Sequence, residues 1–298
     1  MRMRTLWMTM LMLLALPAQA LEIFATVPEW AALAREVGGE QANVFTAARA
    51  LQDPHRIEAR PSLIAKARHA DLVIATGAEL EIGWLPLVLR ESGNARVQPG
   101  QAGYFEAASA VRMLDVPARL DRADGDVHPQ GNPHIQTDPR NILKVARALT
   151  ERLTAIDAAH AADYRANFTA FASKWQTAQA RWEKEAAPLR GMPIAVQHTA
   201  WSYLADWLGL KAVAVLEPKP GVEPSAAYLA KLVGEAGTSR PRMVIRAAYN
   251  DPRPAEWYAA QVKVPLVVLP FTVGGDDAAQ DLFSLFDDTV HRLLAGLK

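Results

Sequence analysis

One uninterrupted helical stretch constrains this chain more than any other. From Asp157 to Pro188 the sequence DAAHAADYRANFTAFASKWQTAQARWEKEAAP has no glycine, and no proline before Pro188. Tyr164, Phe168, Phe171, Trp175 and Trp182 recur at intervals of 4, 3, 4 and 7, which is one face of a 3.6-residue period. Pro188 stops the pattern because its ring removes a backbone donor and clashes with the preceding turn. On each side lies a block of alternating strand-like and helix-like segments. A long helix between two α/β blocks can be a rigid strut joining two lobes across a cleft. It can also be an ordinary long helix packed on one domain, and the pattern alone leaves both open.

The first block opens with LEIFATVPE as a strand, EWAALAREVGG as a short helix ending at Gly38-Gly39, and ANVFTAA as a second strand. LQDPHRIEARPS is a turn-rich loop, with Pro61 and Ser62 placed to start a helix. ADLVIATG is apolar throughout, as expected of a strand buried on both faces of a parallel sheet. The alternation continues through GWLPLVLRESG and ARVQPG. Residues 115–141 form a long irregular segment whose Pro, Gly, Asp and Asn content leaves little to bury; loops of that length in compact domains are usually functional or disordered. NILKVARALTERLTAI is amphipathic, apolar at Ile142, Val145, Leu149 and Leu153. After the long helix come the strand MPIAVQH, the helix TAWSYLADWLG, the strand AVAVLEP, a helix entered at Glu223-Pro224-Ser225, the strands RMVIRAA and VKVPLVVLP, and the final helix DLFSLFDDTVHRLLAGL. Such alternation predicts parallel or mixed sheets covered by helices.

The beginning of the chain bears on where it works. MRMR is a basic n-region, LWMTMLMLLALP an apolar h-region, and Ala18-Gln19-Ala20 an A-x-A cleavage site. This is the pattern of a secretory signal peptide cut before Leu21; its apolar run of about 13 residues is short of the roughly 20 that a span needs. The chain has no cysteine, so lipid attachment at the cleavage site is excluded and disulfides cannot help it fold outside the cytoplasm. A metal site must then use imidazole and carboxylate. Lys+Arg and Asp+Glu balance at 32 each, so bulk charge gives no reason to expect a nucleic-acid partner.

Histidine is the chemistry-bearing residue that remains, at 55, 69, 128, 134, 160, 198 and 291. His69, His160 and His291 fall in helical patterns and read as solvated or half-buried side chains. His55 follows Asp-Pro after the second strand, His134 lies in the long loop as Asn-Pro-His, and His198 ends the strand MPIAVQH. Ligands of open α/β sheets collect at the carboxyl ends of strands. Three imidazoles on separate loops, two from the first block and one from the second, can meet there, and neutral imidazoles suit Zn²⁺ or another borderline transition metal. Each taken singly is an ordinary loop histidine. His128 can bond within its own loop, add a ligand, or gather metal from solvent. No GxSxG, Walker A or GxGxxG motif occurs. A three-histidine site could still hold a catalytic zinc and water, with Glu79, Glu81, Glu217 or Glu223 as base, so a secreted zinc-dependent hydrolase is the alternative reading.

Three motifs carry a resemblance. QDPHRIEARPSLIAKARHADLVIATGAELEIGWLP resembles D-P-H, P-S, A-D-L-V-x-x-x-G, E-x-W-L, with an extra residue between Glu81 and Trp84. NPHIQTDPRN resembles D-P-H-x-W-x-D-P-x-N. QHTAWSYLADWLGL resembles H-x-x-(W/F)-x-Y-x-x-x-x-x-G-L. Their order and spacing over nearly the whole mature sequence are similar to those of the periplasmic zinc- and manganese-binding proteins of bacterial ABC metal importers, the cluster A-I solute-binding family. The resemblance implies two similar α/β lobes with mostly parallel sheets covered by helices. One long rigid helix would join them, with the metal site in the interlobe cleft: a signal peptide at 1–20, lobes at 21–156 and 189–298, and the link at 157–188. It implies His55, His134 and His198 as ligands. A histidine at the third position, where manganese-selective relatives commonly carry Glu, points to Zn²⁺ over Mn²⁺. Relatives place an acidic fourth ligand after the last strand; here LPFTVGGDDAAQDLF offers Asp276 or Asp277, and Asp277 is the expected ligand, with water as the other occupant. Asp53, Asp138, Glu81 and Glu217 are candidates to accept the histidines' other N–H. The implied role is non-enzymatic: periplasmic capture of Zn²⁺ by a monomer and delivery to an ABC permease on the outer face of the inner membrane. A zinc-donating periplasmic protein is a further candidate partner.

Overall fold

The computed structural model describes residues 20–119, 125 and 128–297. The signal-peptide reading of residues 1–20 therefore falls almost entirely outside the described residues, as do parts of the long 115–141 segment.

Two four-stranded parallel sheets with the same connectivity form the frame. In the first lobe β1 (Leu21–Ala25), β2 (Ala42–Thr46), β3 (Leu72–Ala75) and β4 (Tyr104–Glu106) lie in the order β2-β1-β3-β4. Ile23 stands opposite Val44 on one side and Leu72 on the other. β3 is buried at every residue, as its unbroken apolar run requires. Helices α1 (Pro28–Gly38), α2 (Pro61–His69), α3 (Leu85–Ser92) and α4 (Pro139–Ile156) belong to this half. Pro28, Pro61 and Pro139 each sit in the first turn of their helix, where the missing N–H costs nothing.

The fourth strand is not where the alternation put it. Ala95–Val97 is a single helical turn, closed by the Asn94 side chain accepting from the Arg96 amide at 3.1 Å. The Pro99-Gly100 break follows, so pairing resumes only at Tyr104. The long segment also differs from its composition: Gly131–Pro139 is buried throughout. Asn132, Thr137, Asp138 and Asn141 all find hydrogen-bond partners there, which offsets much of the cost that keeps polar loops at the surface.

The long helix is α5 (Ala161–Glu185), shorter at both ends than the 157–188 pattern. Asp157 separates it from α4: its carboxylate accepts from the Tyr164 hydroxyl at 2.6 Å and meets His160 Nδ1 at 2.7 Å, and Ala158–His160 is a tighter turn. Tyr164, Phe171, Trp175 and Trp182 are buried and Phe168 half-buried.

The second lobe contains β5 (Pro193–Val196), α6 (Ser202–Leu208), β6 (Lys211–Val215), α7 (Ala226–Glu235), β7 (Val244–Ala247), α8 (Pro252–Val262), β8 (Leu266–Leu269) and α9 (Leu282–Ala295), with sheet order β6-β5-β7-β8. Ser225 caps α7 through the Tyr228 amide, and Asp281 with Ser284 forms a capping box on α9.

The strut reading of α5 holds because it bonds both lobes. Asn167 donates to the Val37 carbonyl at the end of α1, at 3.1 Å. Trp175 donates to the Pro139 carbonyl at 2.9 Å, and its ring packs 5.0 Å from Phe283 and 5.5 Å from Phe286 of α9. Trp182 and Arg181 both reach Asp287. One contiguous apolar core thus runs from β1 through α5 to α9, with a smaller cluster between α7, α8 and the second sheet.

Candidate metal centre

His55, His134 and His198 are brought together. Each offers one ring nitrogen, and these three atoms lie within 4.8 Å of one another. Ring centroids are 5.1, 5.8 and 5.3 Å apart for the pairs 55–134, 55–198 and 134–198. His134 Nε2 and His198 Nε2 are 3.3 Å apart. That is the edge of a tetrahedron whose Zn–N arms are the usual 2.0–2.1 Å, about 3.3–3.4 Å. Two lone pairs facing each other at this distance repel unless a proton or a cation lies between them.

Each histidine is held by its local sequence. His55 follows β2 in the turn Asp53-Pro54-His55. Asp53 Oδ1 accepts the His55 amide at 3.0 Å and meets its Nδ1 at 2.9 Å, which turns Nε2 toward the cluster. Burial works against the charge of Asp53, yet hydrogen bonds and the charges of His55 and Arg56 hold it below the ordinary carboxylate range. His198 follows β5, and its Nδ1 meets Glu217 Oε2 at 2.7 Å; the same oxygen accepts the Gly221 amide at 2.8 Å. Both rings are thus set for Nδ1–H donation to a carboxylate, leaving Nε2 as the metal-facing lone pair.

His134 is positioned by Asn132. The Asn132 amide nitrogen donates to Asp115 at 3.0 Å, to the Thr199 carbonyl at 2.8 Å and to Ser202 at 3.3 Å, while its oxygen accepts the His134 amide at 3.0 Å. The Tyr203 hydroxyl donates to the Asn132 carbonyl at 2.9 Å. A first-lobe loop is thereby bonded to the α6 end of the second lobe beside the cluster. Gly131 makes the approach possible: at φ +108° a Cβ would sit 2.6 Å from the Leu114 carbonyl, which only glycine avoids. His134 is 1 % exposed, and its Nδ1 meets no protein acceptor among the described residues. Burial first, then the charges of His55, His198 and His128, push its pKa well below the ordinary imidazole value. A neutral imidazole is the form that ligates.

Of the four carboxylates proposed as partners, Asp53 and Glu217 serve histidines. Asp138 instead caps α4 and pairs with Arg140 at 2.8 Å. Glu81, buried, accepts from the Thr26 hydroxyl and the Thr76 and Gly77 amides at 2.6, 2.8 and 3.2 Å. Asp277 is exposed and is not in the cluster of mutually close ligand atoms. Asp276 pairs with Arg292 of α9 at 2.8 Å. Sequence reasoning missed Asn132 and also Phe271, whose ring packs 5.5 Å from that of His134 and against Trp201 and Tyr249. Phe271 holds a left-handed φ of +68°, a strained backbone for an aromatic residue. A larger cavity of about 370 Å³ on the first lobe shares no lining residue with the cluster.

Comparison with known proteins agrees with this architecture. The family described as ZnuA, zinc-uptake complex component A periplasmic, matches residues 23–296. The zinc-binding lipoprotein AdcA of Streptococcus pneumoniae (strain ATCC BAA-255 / R6) is 26 % identical over 202 residues, which are 66 % of this chain and 39 % of AdcA. The chain thus spans about two fifths of the length of that relative. The crystal structure of ZnuA superposes with a TM-score of 0.78 at 21 % identity, covering 94 % of this chain and 100 % of that one. The solute-binding protein FpvC of Pseudomonas aeruginosa, in complex with Mn²⁺, gives 0.78 at 21 % identity, covering 94 % and 98 %. At such identities the two structures show a shared fold.

Proposed function

The chain belongs to the periplasmic zinc-uptake component A family, the extracytoplasmic metal-binding proteins of ABC importers, and from that premise we propose that it captures Zn²⁺ in the periplasm and hands it to an ABC permease on the outer face of the inner membrane. The carrying observation is the convergence of three ring nitrogens from two lobes within 4.8 Å. His55, His134 and His198 are the ligands in this reading. Residues 21–156 and 189–298 are the lobes that bring them together, and 157–188 is the link that keeps the lobes in register. One chain supplies all three imidazoles, so a monomer suffices. A zinc-donating periplasmic protein would act upstream of this chain.

Zinc is favoured over manganese by the donor set. Imidazole suits Zn²⁺, whereas Mn²⁺ prefers carboxylate, carbonyl and water oxygens. The 3.3 Å separation of two Nε2 atoms also matches a tetrahedral site. The expected Asp277 ligand would need the loop after β8 to turn inward; its neighbour Asp276 is tied to α9.

Membership of a solute-binding family sets the hydrolase alternative aside, and Glu81 is spent on two amides and a hydroxyl. Titration of the metal-stripped protein tests the proposal. Wild type should bind one Zn²⁺ per chain without turnover, and His134→Ala should lose tight binding. Equal binding by that variant would reject the site.

A further inference from the structure

His128 stands beside the three clustered histidines, and the family motifs do not account for it. Its ring centroid is 5.5 Å from that of His55, the same range as the spacings within the triad. With His134 and His198 it lines a cavity of about 170 Å³ that also reaches Asp115, Asn132 and Pro220. It is half-buried. Its backbone is fixed: the Gly131 amide donates to the His128 carbonyl at 3.0 Å, closing the turn His128-Pro129-Gln130-Gly131. Proline at the second position and glycine at the fourth suit a type I turn. Asn132, the next residue, is anchored to both lobes. A short, hydrogen-bonded connection therefore ties His128 to the ligand His134.

Charge permits a neutral fourth ligand. A divalent cation held by neutral imidazoles keeps two positive charges. Asp53 and Glu217, bonded to the far nitrogens of His55 and His198, already supply two negative charges just outside the ligands. With Arg56 also beside Asp53, and Asp115 at the cavity wall, the site does not need a further carboxylate to offset the cation. Neither carboxylate just after β8 joins the cluster: Asp277 is exposed and Asp276 pairs with Arg292.

We propose that His128 is the fourth ligand, turning its ring inward to complete a four-imidazole site when the cation binds. The inference rests on the triad reading. Among the described residues, the atoms already within 4.8 Å of one another are those of the triad, so His128 is the ligand that moves and the triad is the part prepared in advance. Ligation through a side-chain rotation at the cavity wall would also make His128 the last donor to engage and the first to release.

The test is X-ray absorption at the zinc edge on the loaded full chain, together with the visible absorption of the Co²⁺-loaded protein. Wild type should show four imidazoles. His128→Ala should show three plus an oxygen donor, a changed Co²⁺ band and affinity lower by about tenfold or more. Three imidazoles in wild type, or a Co²⁺ spectrum and affinity unchanged in His128→Ala, would overturn the proposal. His134→Ala separates the two readings. If it abolishes binding while His128→Ala changes nothing, the triad stands and the fourth ligand falls. If it leaves binding intact, the triad itself has failed.

Discussion

The two lobes are alike in frame and unlike in what they contribute. Each is a four-stranded parallel sheet with the same connectivity. Yet the first lobe supplies His55 after its edge strand β2 and His134 from a buried loop, whereas the second supplies only His198, after the central strand β5. The histidines of the two lobes are nevertheless backed in the same way: His55 by Asp53 and His198 by Glu217. His134 is backed by no carboxylate in the described structure and depends on burial and on Asn132. The repeated fold provides strand ends facing a cleft, and the loops decide which of them carry ligands.

The strongest challenge to treating the lobes as one unit is to remove what they share. Trp175 is fully buried and lies between α4 and α9. Trp175→Ala should cost about 3–5 kcal/mol and lower the unfolding temperature of both lobes together. Two separated transitions in calorimetry, only one of them shifted, would show that the lobes fold independently.

The two carboxylate–histidine pairs can be compared directly. Asp53→Asn and Glu217→Gln keep the shape and remove the charge, and each should weaken Zn²⁺ binding by about 10- to 100-fold. The Glu217 change should be the larger, because its side chain is 13 % exposed against 36 % for Asp53, and solvent screens the latter more. Competition against a chelator of known affinity measures both; the reverse order would mean that exposure does not rank them.

A further effect, on stability and not on metal affinity, lies where the lobes meet through Glu29 and Thr272. Burial raises the Glu29 pKa from 4.5 to about 7, against the opposing hydrogen bond donated by Thr272 at 2.5 Å. The folded protein therefore favours the protonated carboxyl. Its contribution is fully present below pH 4.5 and is lost as pH rises toward about 7, by up to about 1.4 kcal/mol per pH unit. His134, with a depressed pKa, acts in the opposite sense, its contribution being lost as pH falls below the ordinary imidazole value. Glu29→Gln should gain stability relative to wild type as pH rises across the Glu29 window. Urea unfolding of the metal-free protein at several pH values checks this; parallel stability curves would contradict it.

The sequence carried most of this architecture because the relevant signals are local. The aromatic stripe marked α5, and the apolar run at Leu72–Ala75 marked a central strand. His55, His134 and His198 were visible as loop histidines near strand ends, and their motifs tied them together. What stayed hidden depends on distant contacts. The 131–139 segment looked solvated because its composition is polar, but Asn132 finds partners at Asp115, Thr199 and Ser202, up to 70 residues away. Phe271 gave no periodic signal, since its role comes from a ring contact across the lobes. β4 was displaced because Gly93 ends α3 in a left-handed cap and Asn94 then caps a helical turn at Ala95–Val97.

The most direct test of the central claim is a crystal of the zinc-loaded protein measured on both sides of the zinc absorption edge. The account predicts one strong anomalous peak per chain, bounded by ring nitrogens of His55, His134 and His198. A peak elsewhere on the chain, or one touching the histidines of a single lobe only, would contradict it.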